Sequence, residues 1–389
     1  MYIVRAKWKE LAVVLCAVGF AGMGAILLLP YSNPPHTGKK AVPGQRSSVH
    51  RAMPVTLNRQ LYNAKMLSLA NLPARPGCSK SDPAPTKAER TSTYRTVSAS
   101  GKAGITTKEA VYHPCPRPLW PVHAAYPDPG AVLPFKRIVA YYGNFYSPRM
   151  GILGEYSQDK VLSMLESTVK SWAAADPSTP VVPAVDYIAV AAQNVPWKDG
   201  KYRFRMPAKQ IDKAISMGNR IHGLVFLDVQ PGWSTVEAEV TPLAPYLKQP
   251  NVELALDPEF ALTQGKRPGA WFGTMNAADI NFAARYLAKI VRENHLPPKI
   301  LVVHRFTERM VTDYHAIKPL PEVQIVMDMD GFGSPALKTF TYKAYIARQP
   351  VQFTGFKLFY KNDVKIGGAL MTPAQVLSLS PQPSFILYQ

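Results

Sequence analysis

From Phe135 onward the chain alternates short apolar runs rich in β-branched and aromatic residues with stretches of helical periodicity, and that alternation limits the fold more than any other feature. The strand candidates are residues 137–142, 185–191, 223–229, 252–256, 300–304, 323–328, 354–360 and 385–388. Continuous apolar runs of this length suit strands buried on both faces of a parallel sheet. Between them lie helix candidates such as 158–173, with Val161, Leu165, Val169 and Trp172 on one face, and 277–294, with Asn276 as its cap. Parallel neighbours need long crossovers, and eight strand–helix units in this length predict an α/β (β/α)8 TIM-like barrel over 135–389. An open doubly wound sheet would carry a glycine-rich turn after its first strand, but Tyr141-Tyr142-Gly143-Asn144 is followed by no G-x-G-x-x-G. With residues 385–388 as the last strand, the expectation is that part of the preceding segment covers the seam where a final helix would lie.

Residues 1–30 and 31–134 read differently. Residues 11–29 hold no charge, and 19 residues of helix reach across most of a hydrocarbon core. Arg5, Lys7 and Lys9 precede them, which predicts a retained transmembrane signal anchor with the rest of the chain on the extracytoplasmic side, periplasmic or at the cell surface. Residues 31–134 hold 15 of the 37 prolines and 14 Lys and Arg against 4 Asp and Glu, so they are expected to form a Pro-rich basic spacer. A helix over 61–72 that docks on the barrel, and an extended strap over 113–121, are expected within it. Cys16 falls in the apolar run, leaving Cys78 and Cys115 as a pair expected to form a disulfide in an oxidising compartment. The formal charge of +19 favours anionic surfaces. Nucleic acid is disfavoured as a partner, because no zinc-finger spacing, RNP pattern or basic recognition helix is present.

In such barrels, function gathers at the C-terminal ends of the strands. Those ends are acidic here: Asp228 in FLDVQ, Asp257 and Glu259 in LALDPEF, Asp328 and Asp330 in VMDMDGFG. Residues at i and i+2 of an extended strand face the same way, so each pair is expected to present two carboxylates to one space. Paired carboxylates suit glycosidic cleavage, in which one protonates the leaving oxygen while another attacks or stabilises the anomeric carbon. Glu259 is the candidate acid. Tyr142, Asn144, Trp233, His304, Arg305 and Tyr360 are candidate substrate contacts, and Tyr141, Phe145, Tyr146, Trp197, Trp271 and Phe332 are further aromatic candidates near the same ends. Ion pairing of the acids with Arg305, Lys357 or Lys361 is the structural alternative. A metal site from Asp228, Asp257, Asp328 and His304 is a second chemical reading. The pattern calls for no cofactor: nucleophile-elbow, H-E-x-x-H and P-loop motifs are absent.

The runs YYGNFYSP, LVFLDVQ, LDPEF, VVHRF, VMDMDGFG, GFKLFYKND and ILYQ resemble a group of exported bacterial proteins of unknown function, over about residues 135–389. More remotely, the D-x-E at Asp257 and Glu259, the aspartate of strand six and the aromatic-Gln ending are similar to the barrel lysozymes of glycoside hydrolase family 25. That resemblance implies Glu259 as proton donor and a polysaccharide or peptidoglycan-like glycan as partner. Where that family has an aspartate at the end of strand one, this chain has Tyr142 and Asn144. The competing class is a non-catalytic component of the cell envelope that keeps a barrel as scaffold.

Overall fold

A computed structural model describes residues 56–72, 91–97, 103–109 and 118–389 of the chain. The expected anchor at 11–29, Cys78 and Cys115 lie outside the described residues. Among the described residues no helix is long and apolar enough to cross a membrane.

Eight parallel strands close into a barrel: β1 (Arg137–Gly143), β2 (Val181–Ala192), β3 (Leu224–Val229), β4 (Val252–Leu256), β5 (Lys299–Arg305), β6 (Val323–Met329), β7 (Phe353–Leu358) and β8 (Phe385–Tyr388). Closure is by β1, which pairs with β2 on one side, Tyr142 beside Asp186, and with β8 on the other, Ile138 beside Phe385. Each strand is buried almost along its whole length, which is why the sequence shows apolar runs rather than alternation. β2 starts four residues before its predicted position. Pro183 argues against a central strand because it has no N–H to give to a ladder, yet it lies opposite Val139 in β2. β7 in turn stops at Leu358, two residues short of the expectation.

The helical layer is less regular than the sequence suggests. Among the described residues, α1 (Arg59–Ala70), α2 (Gln158–Ala175), α3 (Ala208–Arg220), α4 (Ala277–Asn294) and α5 (Pro335–Tyr342) are the helices of eight residues or more. α4 begins with a capping box, the Asn276 side chain accepting from the Asp279 N–H and the Asp279 side chain accepting from the Asn276 N–H. Between β5 and β6 the chain makes only short 3-10 turns and a two-residue strand, Val311–Thr312, so no α-helix covers that crossover. Trp172 of α2 is fully buried and donates its indole N–H to the Tyr388 hydroxyl at 2.9 Å, fixing that helix to β8.

α1 closes the seam at the strand starts. Tyr62, Met66 and Ala70 form its buried stripe at i, i+4 and i+8. Tyr62 meets Phe135 edge-on, Lys65 donates to the Ser178 carbonyl, and the Gln382 N–H donates to the Leu69 carbonyl at 2.7 Å. These partners lie just before β1, β2 and β8, so the helix covers the starts of those strands. Among the described residues, 56–71 and 120–389 belong to one compact unit, and those between 72 and 119 to a second. The second contains an antiparallel hairpin of Thr91–Val97 and Ala103–Glu109 inside the segment expected to be spacer. Of the expected strap, Trp120 donates its indole N–H to the Ala347 carbonyl.

Candidate functional site

The strand ends bring six carboxylates and two basic groups into one buried cluster. β2 supplies Asp186, β3 Asp228, the turn after β4 Asp257 and Glu259, β5 His304, β6 and its end Asp328 and Asp330, and β7 Lys357. Asp186, Asp228, His304 and Asp328 are 0% exposed, Asp257 2% and Asp330 7%, whereas Glu259 alone of the acids is half-buried and meets solvent. The expectation that the pleat aligns Asp257 with Glu259 is corrected in its cause. β4 ends at Leu256, and a 3-10 turn over Pro258–Phe260 carries Glu259 round beside Asp257. One oxygen each of Asp257, Glu259 and Asp330 lies within 4.8 Å of the others.

Tyr142 organises the centre instead of waiting for a ligand. Its hydroxyl donates to Asp228 Oδ2 at 2.9 Å and accepts from the Gln230 amide at 3.1 Å, and Gln230 also reaches Asp257 Oδ2 at 3.3 Å. Lys357 Nζ bonds Asp330 Oδ1 at 3.0 Å and stands 3.8 Å over the Tyr142 ring. His304 Nδ1 pairs with Asp328 Oδ2 at 3.0 Å. Both oxygens of Asp186, Oδ1 of Asp228, Asp257 and Asp328, and Nε2 of His304 are buried without a hydrogen-bond partner among the described residues. Buried polar atoms are normally paired, so this concentration of unpaired ones calls for a water or a ligand.

Burial raises the proton affinity of these acids. Burial, then the neighbouring Asp228, pushes Asp257 up to about 8. Burial followed by Asp257 and Asp330 raises Glu259 well above the carboxylate range, and burial with Asp228 does the same to Asp186. Burial opposes the charge on His304, but the Asp328 hydrogen bond and the charges of Asp228 and Asp330 outweigh it and lift the imidazole to about 10. A raised basic group contributes stability that is whole below its unfolded value near 6.5 and is lost as pH rises through about 10. Asp257 adds a loss of the same sign between its ordinary range and about 8. The thermal midpoint is therefore expected to fall steadily from pH 6 to pH 10, and His304→Gln to flatten the upper part of that slope. An unchanged slope in the variant would remove His304 as its source.

Other candidates stand elsewhere. Arg305 follows His304 and takes the opposite face of β5, where it donates to the carbonyls of Thr307 and Glu308, away from the acids. Tyr360 lies outside the barrel wall, bonded to Tyr141 at 3.0 Å and stacked on Tyr388. Asn144 is fully buried and pins its loop, donating to the Ile188 carbonyl and accepting from the Tyr146 N–H. Trp233 packs at a tilt against Tyr202 and donates to the Lys266 carbonyl, so it braces two loops. Of the remaining aromatic candidates, Trp271, 57% exposed, is open to solvent in the loop whose Gly273 N–H bonds the Glu259 carbonyl. Asp186 and Gln230 were missed by the sequence reading, and Lys357 was read only as a pairing partner. Asp186 had a signal, as the one charge in the apolar run of β2. A cleft of ≈ 260 Å³ lined by Lys65, Asp176, Thr179 and Gln382 lies at the opposite end, under α1, and takes no part in this cluster.

Fold and site together define an α/β barrel with a buried acid cluster at the C-terminal ends of its strands. No family model and no curated protein matches the chain. Among solved structures it is similar to a ruminal GH26 endo-beta-1,4-mannanase, at 12% identity and TM-score 0.33, over 65% of this chain and 58% of that one. It is also similar to GH26C from Muricauda sp., at 10% identity and TM-score 0.28, over 67% and 71% of the two chains. The chain thus spans little more than half the length of the mannanase.

Proposed function

We propose that this barrel processes a cell-envelope glycan, with Glu259 as proton donor and Asp257 and Asp330 as the flanking carboxylates. The observation that carries the reading is the meeting of these three acids within 4.8 Å, Glu259 being the least buried residue of the three. A glycosidic oxygen approaching from outside meets Glu259 first, and the deeper carboxylates stand where positive charge develops on the sugar ring. Retaining enzymes hold their two carboxyl groups about 5–5.5 Å apart and inverting ones about 6.5–9.5 Å, so the close spacing suits direct engagement by a carboxylate over an interposed water. Asp228, Asp328, His304 and Tyr142 act in this reading as the charged floor that holds the outer acids. Trp271 offers a face for a sugar ring. The test is turnover on a broad glycan panel, with Glu259→Gln as the deciding variant. A wild-type chain inactive throughout leaves the barrel as a non-catalytic envelope scaffold.

The same proposal places the barrel outside the cytoplasm, anchored through residues 11–29, as the basic residues before that run support. Protease added to intact spheroplasts is expected to digest the barrel or the segment before it. Full protection refutes this placement.

A further inference from the structure

We propose that Asp257, Glu259 and Asp330 bind a divalent cation of the calcium class, and that the bound ion holds the site inactive by occupying the oxygens that glycan cleavage needs. Each residue brings one oxygen within 4.8 Å of the other two. Calcium binds oxygen at about 2.3–2.6 Å, so two of its ligands stand no more than about 5 Å apart. The limit of 4.8 Å on the three separations lies inside that span. Magnesium, with its shorter bonds of about 2.0–2.1 Å, requires a tighter set.

A second observation points to a ligand independently of that spacing. Asp257 is 2% exposed, yet its Oδ1 has no hydrogen-bond donor among the described residues, and its Oδ2 has only the long 3.3 Å contact from Gln230. A buried carboxylate oxygen left in that state is unfavourable, and a coordinated cation relieves it. The donor set consists of oxygen alone, the preference of hard cations. Lys357 Nζ holds Asp330 Oδ1 at 3.0 Å, so the ion shares this carboxylate with the ammonium. The cluster sets six acids against Lys357 and His304, an oxygen-rich surrounding of the kind a hard cation takes. Glu259, half-buried at the edge, gives the ion its route from solvent.

Binding of the ion stands on this geometry alone, whereas its inhibitory effect rests on the glycan-processing reading. The experiment separates the two. Full-length chain in detergent, stripped with chelator, is titrated calorimetrically with calcium chloride, then with magnesium chloride. One calcium per chain is expected, with a dissociation constant at or below about 1 mM and weaker binding of magnesium. Glu259→Gln, which keeps the size of the side chain, is expected to weaken calcium at least ~10-fold, and Asp257→Asn to do the same. Asp159→Asn, an exposed acid of α2, is expected to leave binding unchanged. Absence of a calcium isotherm, or equal affinity in wild type and Glu259→Gln, overturns the proposal. Glycan turnover is then measured in chelator and in excess calcium. Turnover only in chelator supports both parts. Calcium binding without turnover in either condition keeps the ion site and overturns its inhibitory role together with the glycan reading. Turnover that calcium leaves unchanged overturns the inhibitory role alone.

Discussion

Glu259→Gln is expected to lower glycan turnover by about 10² or more while leaving binding within a few-fold. The substitution keeps the size and hydrogen-bonding reach of the side chain and removes only the proton it donates. Its consequence should appear in kcat, because protonation of the leaving oxygen develops in the transition state and is absent from the bound ground state. Asp257→Asn is expected to lower turnover as well. Asp257 is among the groups that raise Glu259, after burial itself, so its removal lets the acid ionise at lower pH. The pH at which activity falls on the alkaline side should then move down. Kinetics on one responsive glycan, for wild type and both variants across pH, measure this directly. Wild-type turnover in the Glu259 variant would sink the assignment.

Asp328→Asn is expected to destabilise the fold by about 3–5 kcal/mol, the usual cost of removing one partner of a buried ion pair. Both members of the pair are 0% exposed, so solvent screening does not soften the loss. The cost arises on His304, whose raised proton affinity depends first on the Asp328 hydrogen bond among its favourable contacts. Relaxation is also limited: a Cβ on Gly355 would stand 2.5 Å from Asp328 Oδ1, which shows how closely β7 packs on this carboxylate. Urea unfolding of the single variants and of Asp328→Asn with His304→Gln supplies the check. The double variant is expected to be less destabilised than the sum of the single ones, since the second change removes the charge that the first leaves stranded. Simple additivity would mean that the two side chains do not act as a pair.

The sequence by itself determined the strand count and the barrel class, because burial on both faces writes itself as short apolar runs and helix starts carry local caps. β1, β4 and β8 and the start of α4 at Asn276 lie where that local pattern puts them, within a residue. It determined less where local preference and tertiary demand disagree. Pro183 is held in β2 by a neighbouring strand on each side, and the crossover from β5 to β6 dispenses with a helix. The buried stripe of α1 was legible as a helical repeat, but its place at the seam depends on contacts with Phe135, Ser178 and Gln382, far away in the chain.

For the site, the acids at the strand ends were visible as charges closing apolar runs. Which of their neighbours join them was decided by the pleat and by closure. His304 and Arg305 are adjacent, so only one of them faces the barrel interior, and the register beside Asp328 gives that place to His304. Alternation alone held that signal. Sheet order and curvature supply what alternation cannot: they set Asp330 of the β6 end beside Glu259 of the β4 turn, on the two sides of β5, and Lys357 of β7 over Tyr142 of β1, on the two sides of β8. Hydrophobic periodicity is a property of a few consecutive residues, whereas the meeting of side chains from six strands depends on the register and curvature of the whole closed sheet.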